Sequence, residues 1–220
     1  MSLEDKVNDK ESKGFVKKAL TIGWKLGMAA ATTALSLSLV GTTGVMVGAA
    51  LAGGGAIGNL WRGKSLYESM SVALTTYSAV NAIISPIISL GNATIPLIDG
   101  SNFLGIAART LYATTAYNAA FIASFRGASH LVDNYMNPIG ITKTIGNNFY
   151  NEFKRIGLGF FPGYLVGSAL NIPSIMGIPT FAWNAFPLGL YNSLYPVPAS
   201  KPSGHSSYNP APAMAGAAAH

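Results

Sequence analysis

Hydrophobic and polar positions fall along this chain in long blocks rather than short alternations. Residues 26–61 run for 36 positions without a charged side chain, and residues 69–98 and 156–200 are also uncharged. A bilayer core of ~30 Å needs only ~20 apolar residues per helix. A soluble domain, with ~25% of its residues charged, seldom carries such runs. The pattern predicts an all-α fold, a polytopic helical membrane protein with about four to six membrane segments. Those segments are 26–61, 69–90, 103–125, 157–171 and 180–195, within a helical membrane domain over 14–200. Residues 1–13 form a polar N-terminal segment, and 201–220 read as a flexible tail rich in Pro, Ala, Ser and Gly.

The first run is too long for one span and short for two. Placing basic residues on one side decides between them. A Gly-rich hairpin sets Arg62 and Lys64 beside the N-terminal lysines, and the next two segments then return Arg126, Lys143, Lys154 and Arg155 to that same side. That arrangement obeys the positive-inside rule, with the N-terminus and the loop 126–155 on the cytoplasmic-type face. Each arm of ~16 residues covers only ~24 Å. Ahead of the run, Phe15, Ala19, Ile22 and Leu26 share one helical face, while Lys18 and Lys25 lie on another. This periodicity predicts an amphipathic surface helix with Lys17, Lys18 and Lys25 toward headgroups; the alternative is the first turns of the following span. Near the C-terminus, Pro162, Pro173, Pro179, Pro187 and Pro196 predict two short, broken helices.

Composition sharpens this picture. Half the residues are hydrophobic, but Ala and Gly supply much of that share. Small residues let helix backbones approach closely, so Gly44, Gly48, Gly54 and Gly58 are helix-packing candidates. The net charge of +6 is concentrated beside apolar runs, which points to a lipid bilayer as partner and not to nucleic acid. Phe149, Tyr150, Phe153, Lys154 and Arg155 have the composition of an interfacial anchor. The chain has no cysteine, which removes disulfides and thiolate chemistry.

Candidate chemistry is sparse. Residues 53–58 fit G-x-G-x-x-G, but without the strand, helix and later acid that nucleotide binding requires. Only eight acids are present, four of them in the first eleven residues. No catalytic constellation, cofactor site or metal motif can be read. His130 and Asp133, three apart, could act together in a membrane enzyme. Arg109, inside a segment, forms with Asn81 and Asn118 a candidate polar path. The function expected is therefore a non-enzymatic integral membrane scaffold or accessory subunit. It would pack with other membrane proteins or with itself as a homo-oligomer. An energy-transducing complex and the membrane layer of a virus particle fit equally. The alternative is a small channel or transporter whose site is built from broken helices.

Overall fold

The computed structural model describes the backbone of residues 3–147, 149–170 and 179–195, and side chains from residue 14 onward except 148, 171–184 and 196–220. Among the described residues the structure is helical without strands. Helix α1 spans Leu3–Val40, α2 Thr42–Trp61, and α3 Leu66–Thr94 with a 3-10 turn at Ile95–Leu97. Helix α4 (Phe103–Tyr112) passes through a π-helical stretch, Ala113–Tyr117, directly into α5 (Asn118–Asp133). Short α6 (Ile141–Gly146), α7 (Phe149–Ala169) and α8 (Pro179–Leu194) follow. Two of these elements, Thr42–Trp61 and Leu66–Leu97, are long and apolar enough to cross a membrane.

Local chemistry explains the boundaries. The first run breaks at Gly41, whose φ of 63° lies in the left-handed region that only glycine enters without cost. Helix α3 opens with a capping box, in which Ser65 and Glu68 satisfy each other's backbone donors. The π-helical stretch coincides with a threonine-rich turn. There the Thr110, Thr114 and Thr115 hydroxyls donate back to carbonyls at 2.6–2.8 Å and compete with the regular ladder.

Pairwise contacts order the helices as an up-and-down bundle. Lys18 lies over Tyr67, Lys25 meets Ser71 and Thr33 meets Tyr77, so α1 and α3 run parallel. Gly44 and Gly48 face Asn81 and Tyr77, so α2 returns antiparallel. Thr75 reaches Asp133 while Tyr117 Oη donates to the Ile87 carbonyl at 3.0 Å, so α4–α5 also returns. Helix α7 ascends along α5, and α8 descends beside α2 and α7. The core lies where α3, α5 and α7 meet: Val80, Ile84, Tyr117, Ile122, Phe160 and Tyr164.

Several expectations are corrected. Residues 14–28 are not a separate surface helix; they continue into the apolar run within α1. The segment expected at 103–125 extends to Asp133, so the loop 126–155 dissolves into the end of α5, α6 and the start of α7. Pro162 and Pro187 lie inside α7 and α8, within the segments 157–171 and 180–195 expected there, but both helices run through them unbroken. A proline forfeits one hydrogen bond, and a helix packed by its neighbours absorbs that loss. Pro173, Pro196 and the tail 201–220 lie outside the described residues.

Candidate functional site

The topology collects charge at one end of the bundle. Helix α2 ends there, α3 begins, α5 ends, α7 begins and α8 ends, which brings Arg62, Lys64, Arg126, Lys154 and Arg155 together. The inner half of α1 arrives at the same end. Lys25, expected at headgroups, is only 5% exposed. Its ammonium donates to Asp133 Oδ1 at 2.5 Å, Ser71 Oγ at 2.7 Å and the Ser71 carbonyl at 3.2 Å, which uses all three donors. Thr75 donates to the same Asp133 oxygen at 2.7 Å. Beside this cluster Trp24 donates to the Val132 carbonyl, and the Thr21 hydroxyl meets Tyr135 Oη. Tyr135 and Met136 hold φ of 53° and 64°. Such backbone costs about 1–3 kcal/mol per residue and persists only where surroundings over-determine it. Contacts from Thr21 and Trp24 of α1 brace Tyr135, and the Met136 N–H donates to the Leu131 carbonyl at 2.7 Å.

A second cluster joins α5, α6 and α7. Arg126 grips both Glu152 oxygens, through Nε at 2.6 Å and through Nη2, while Nη1 donates to the Thr144 carbonyl at 2.5 Å. The planar guanidinium suits this bidentate grip. His130, 8% exposed, donates from Nε2 to the Ile139 carbonyl at 3.0 Å, and its Nδ1 meets the Thr144 hydroxyl at 2.9 Å. Asn134 Nδ2 also approaches Nδ1 at 3.3 Å, so the ring is held by Asn134, the Ile139 carbonyl and Thr144 of α6, whereas Asp133 belongs to Lys25. The expected pairing of His130 with Asp133 does not form. Among the described residues no group of three or more His, Asp or Glu side chains gathers.

Between these clusters and α8 lies a cavity of about 420 Å³. Val47 and Leu51 of α2, Phe121 and Phe125 of α5, Phe160 of α7 and Leu188 of α8 make its inner wall apolar. Arg126, Glu152, Arg155, Asn192 and Ser193 line the part nearest the basic end. Arg155 donates to the Tyr195 carbonyl and lies 5.3 Å from the Tyr191 ring centre; Arg62 donates to the Ser193 carbonyl at 3.1 Å. Two cations thus bond the last carbonyls of α8, where the helix dipole is negative.

The other singled-out residues have separate places. Gly44 and Gly48 receive α1 and α3: a Cβ on Gly44 would stand 2.6 Å from Ile84 Cγ2, and one on Gly48 2.9 Å from Asn81 Nδ2. Gly54 and Gly58 receive α8, and a Cβ on Gly58 would stand 2.7 Å from Ser193 Cβ. The glycine faces are consumed inside the chain. Arg109, Asn81 and Asn118 do not form one path. Arg109 Nε donates to the Ile98 carbonyl at 2.5 Å, and the guanidinium packs on Gly100. Asn81 donates to the Tyr77 carbonyl at 3.0 Å and Asn118 to the Phe153 carbonyl at 3.2 Å. Beside Arg109, the exposed Asp99 carboxyl is held below its ordinary range, chiefly by the Ser101 backbone N–H and hydroxyl.

The expected aromatic anchor divides. Phe149 and Phe153 stack at 6.3 Å and pack against the core, whereas Tyr150 is exposed with Lys154 4.4 Å from its ring centre. Lys17 and Lys18 are exposed, the latter over Tyr67. The cavity escaped sequence reading because its walls come from five helices, and no short motif marks it. The one local signal was the change of character at Glu152–Arg155, where charge gives way to an uncharged run. No family model, curated protein or solved structure matches the chain.

Proposed function

We propose that the protein is a multi-pass membrane scaffold or accessory subunit without enzymatic activity. One observation carries the reading: polar side chains are buried beside the apolar core while large apolar ones stand exposed. Ser36, Ser78, Asn81 and Asn118 are at most 1% exposed, while Leu97, Phe103, Leu104 and Leu158 are each more than 75% exposed. In water, exposed apolar area on this scale is a liability; in lipid it is the favoured surface. Of these groups Asn118 bonds between helices, to the Phe153 carbonyl at 3.2 Å, and such a bond is worth about 0.6–2 kcal/mol. The gathering of Arg62, Lys64, Arg126, Lys154 and Arg155 at one end supports, by the positive-inside rule, a cytoplasmic-type side for that end. Helix α1, 38 residues and about 57 Å long, leaves Leu35 and Leu39 exposed on one face and Leu37 on the opposite one, apolar surface for neighbouring membrane proteins. Of the motives for the channel alternative, one is weakened: Arg109 bonds the Ile98 carbonyl and packs on Gly100.

The test has two stages. The cysteine-free background permits single substitutions, Lys64→Cys and Ser101→Cys, and labelling of each from either side of the membrane. Opposite-side labelling is expected; labelling of both from one side would sink the multi-pass topology. Mild-detergent extraction from the native source and native mass spectrometry then read the assembly. Co-migration with a defined set of other proteins is the expected result. A chain that always travels alone would defeat the scaffold role.

A further inference from the structure

We propose that the cavity enclosed by α2, α3, α5, α7 and α8 is a lipid site: it takes one acyl chain of an anionic phospholipid and sets the headgroup phosphate on Arg155. The inference rests on the membrane reading above. Its first support is shape. The α7 wall runs from Glu152 to Phe160, eight residues or about 12 Å at 1.5 Å each, most of the ~15 Å depth of one leaflet in a ~30 Å hydrocarbon core. The volume of about 420 Å³ lies within the ~300–1,000 Å³ of sites that enclose a small molecule.

The second support is the order of polarity along that length. The inner wall of Val47, Leu51, Phe121 and Leu188 offers an acyl chain apolar contact, and the polar lining lies at the basic end. A lipid whose tail points toward the midplane and whose head points outward has this same order.

The third support is charge. Glu152 also lines the cavity, but both its oxygens are committed to Arg126. Among the described residues no carboxylate pairs with Arg155 or with the neighbouring Arg62. Arg155 spends one donor on the Tyr195 carbonyl and lies over the Tyr191 ring, 5.3 Å from its centre. A guanidinium carries five donors, so the rest suit a phosphate's paired oxygens. A zwitterionic head would bring its own cation against the same arginines, so an anionic head is preferred. Lys154 over exposed Tyr150, one residue away, adds a basic and aromatic pair suited to headgroup depth.

The full chain would be reconstituted in nanodiscs of equal phosphatidylglycerol and phosphatidylcholine, released into mild detergent and weighed by native mass spectrometry. Retained phosphatidylglycerol is expected to exceed phosphatidylcholine about tenfold. Arg155→Gln should remove most of that preference and Arg155→Lys restore part of it, because the phosphate needs a cation there. Ala185→Trp, which fills the cavity, should reduce retention of both lipids, with circular dichroism reporting whether it folds. Equal retention of the two lipids, or a preference untouched by Arg155→Gln, would overturn the site whatever the fate of Ala185→Trp. A chain that resists carbonate extraction yet shows no preference loses the lipid site alone. A chain that carbonate releases loses the membrane reading, and the site with it.

Discussion

The two sides of α2 and the basic end of the bundle are held by different physics. Along α2, Gly44 and Gly48 admit α3, while Gly54 and Gly58 admit α8, with Arg62 at the end of α2 donating to the Ser193 carbonyl among the described residues. Stability there comes from close backbone approach, which falls off steeply with any added atom. At the basic end, α1, α5, α6 and α7 are joined by Lys25–Asp133 and Arg126–Glu152 with their hydroxyl and carbonyl partners. Those bonds are directional but partly solvated: the Asp133 side chain is 49% exposed and Glu152 28%. Shape should therefore be the stiffer constraint and charge the softer one.

The sharpest way to break the comparison uses two adjacent glycines. A Cβ on Gly54 would run into the Phe186 carbonyl oxygen, a backbone atom that cannot swing away, whereas a Cβ on Gly53 meets nothing within 4 Å. Gly54→Ala should cost about 3 kcal/mol, the upper range for overpacking, and Gly53→Ala should stabilise by about 0.5–1 kcal/mol through helix propensity. Unfolding of both variants in mixed micelles measures the contrast. Equal effects would mean that α8 does not seat on α2.

Charge comes next. Glu152→Gln leaves Arg126, 14% exposed, with a neutral partner. Breaking a fully buried pair costs about 3–5 kcal/mol; the solvent reaching Glu152 reduces this to about 1–2 kcal/mol. A loss as large as that of Gly54→Ala would remove the distinction between the two regions. The smallest effect is expected at the pair whose acid is the more exposed, since water reaches Asp133 and screens the buried Lys25. Asp133→Asn keeps an acceptor for Thr75 and Lys25, so it should cost about 1 kcal/mol, read by the same unfolding measurement at low and high salt. Salt should weaken the wild type more than the variant, because exposed attraction is screened.

How much of this was legible beforehand depends on the range over which each interaction acts. The helices around 69–90 and 180–195 are set by composition over neighbouring residues, and the helix break in 26–61 by a glycine. The fate of Lys18 and Lys25 was not legible. Seven residues apart and beside the same apolar run, they look alike in sequence. One stays exposed over Tyr67, and the other is buried by Asp133, more than a hundred positions away. Likewise the sequence sets Pro162 and Pro187 within helical segments and predicts a break at each, because a lone helix loses a hydrogen bond there; in the bundle the neighbours hold α7 and α8 continuous.

The chain's own pattern determined that it is helical, that its helices are apolar and small-sided, and that its basic residues flank the apolar runs. These are one-dimensional properties, set by the period of a helix and by the composition of about 20 consecutive residues. Tertiary structure alone decided which glycine faces meet which helix, that His130 serves α6 while Asp133 serves Lys25, and that five helices leave a cavity beside Arg155. Those outcomes depend on ångström-scale approach between segments distant in sequence, which side-chain size and charge restrict but do not specify.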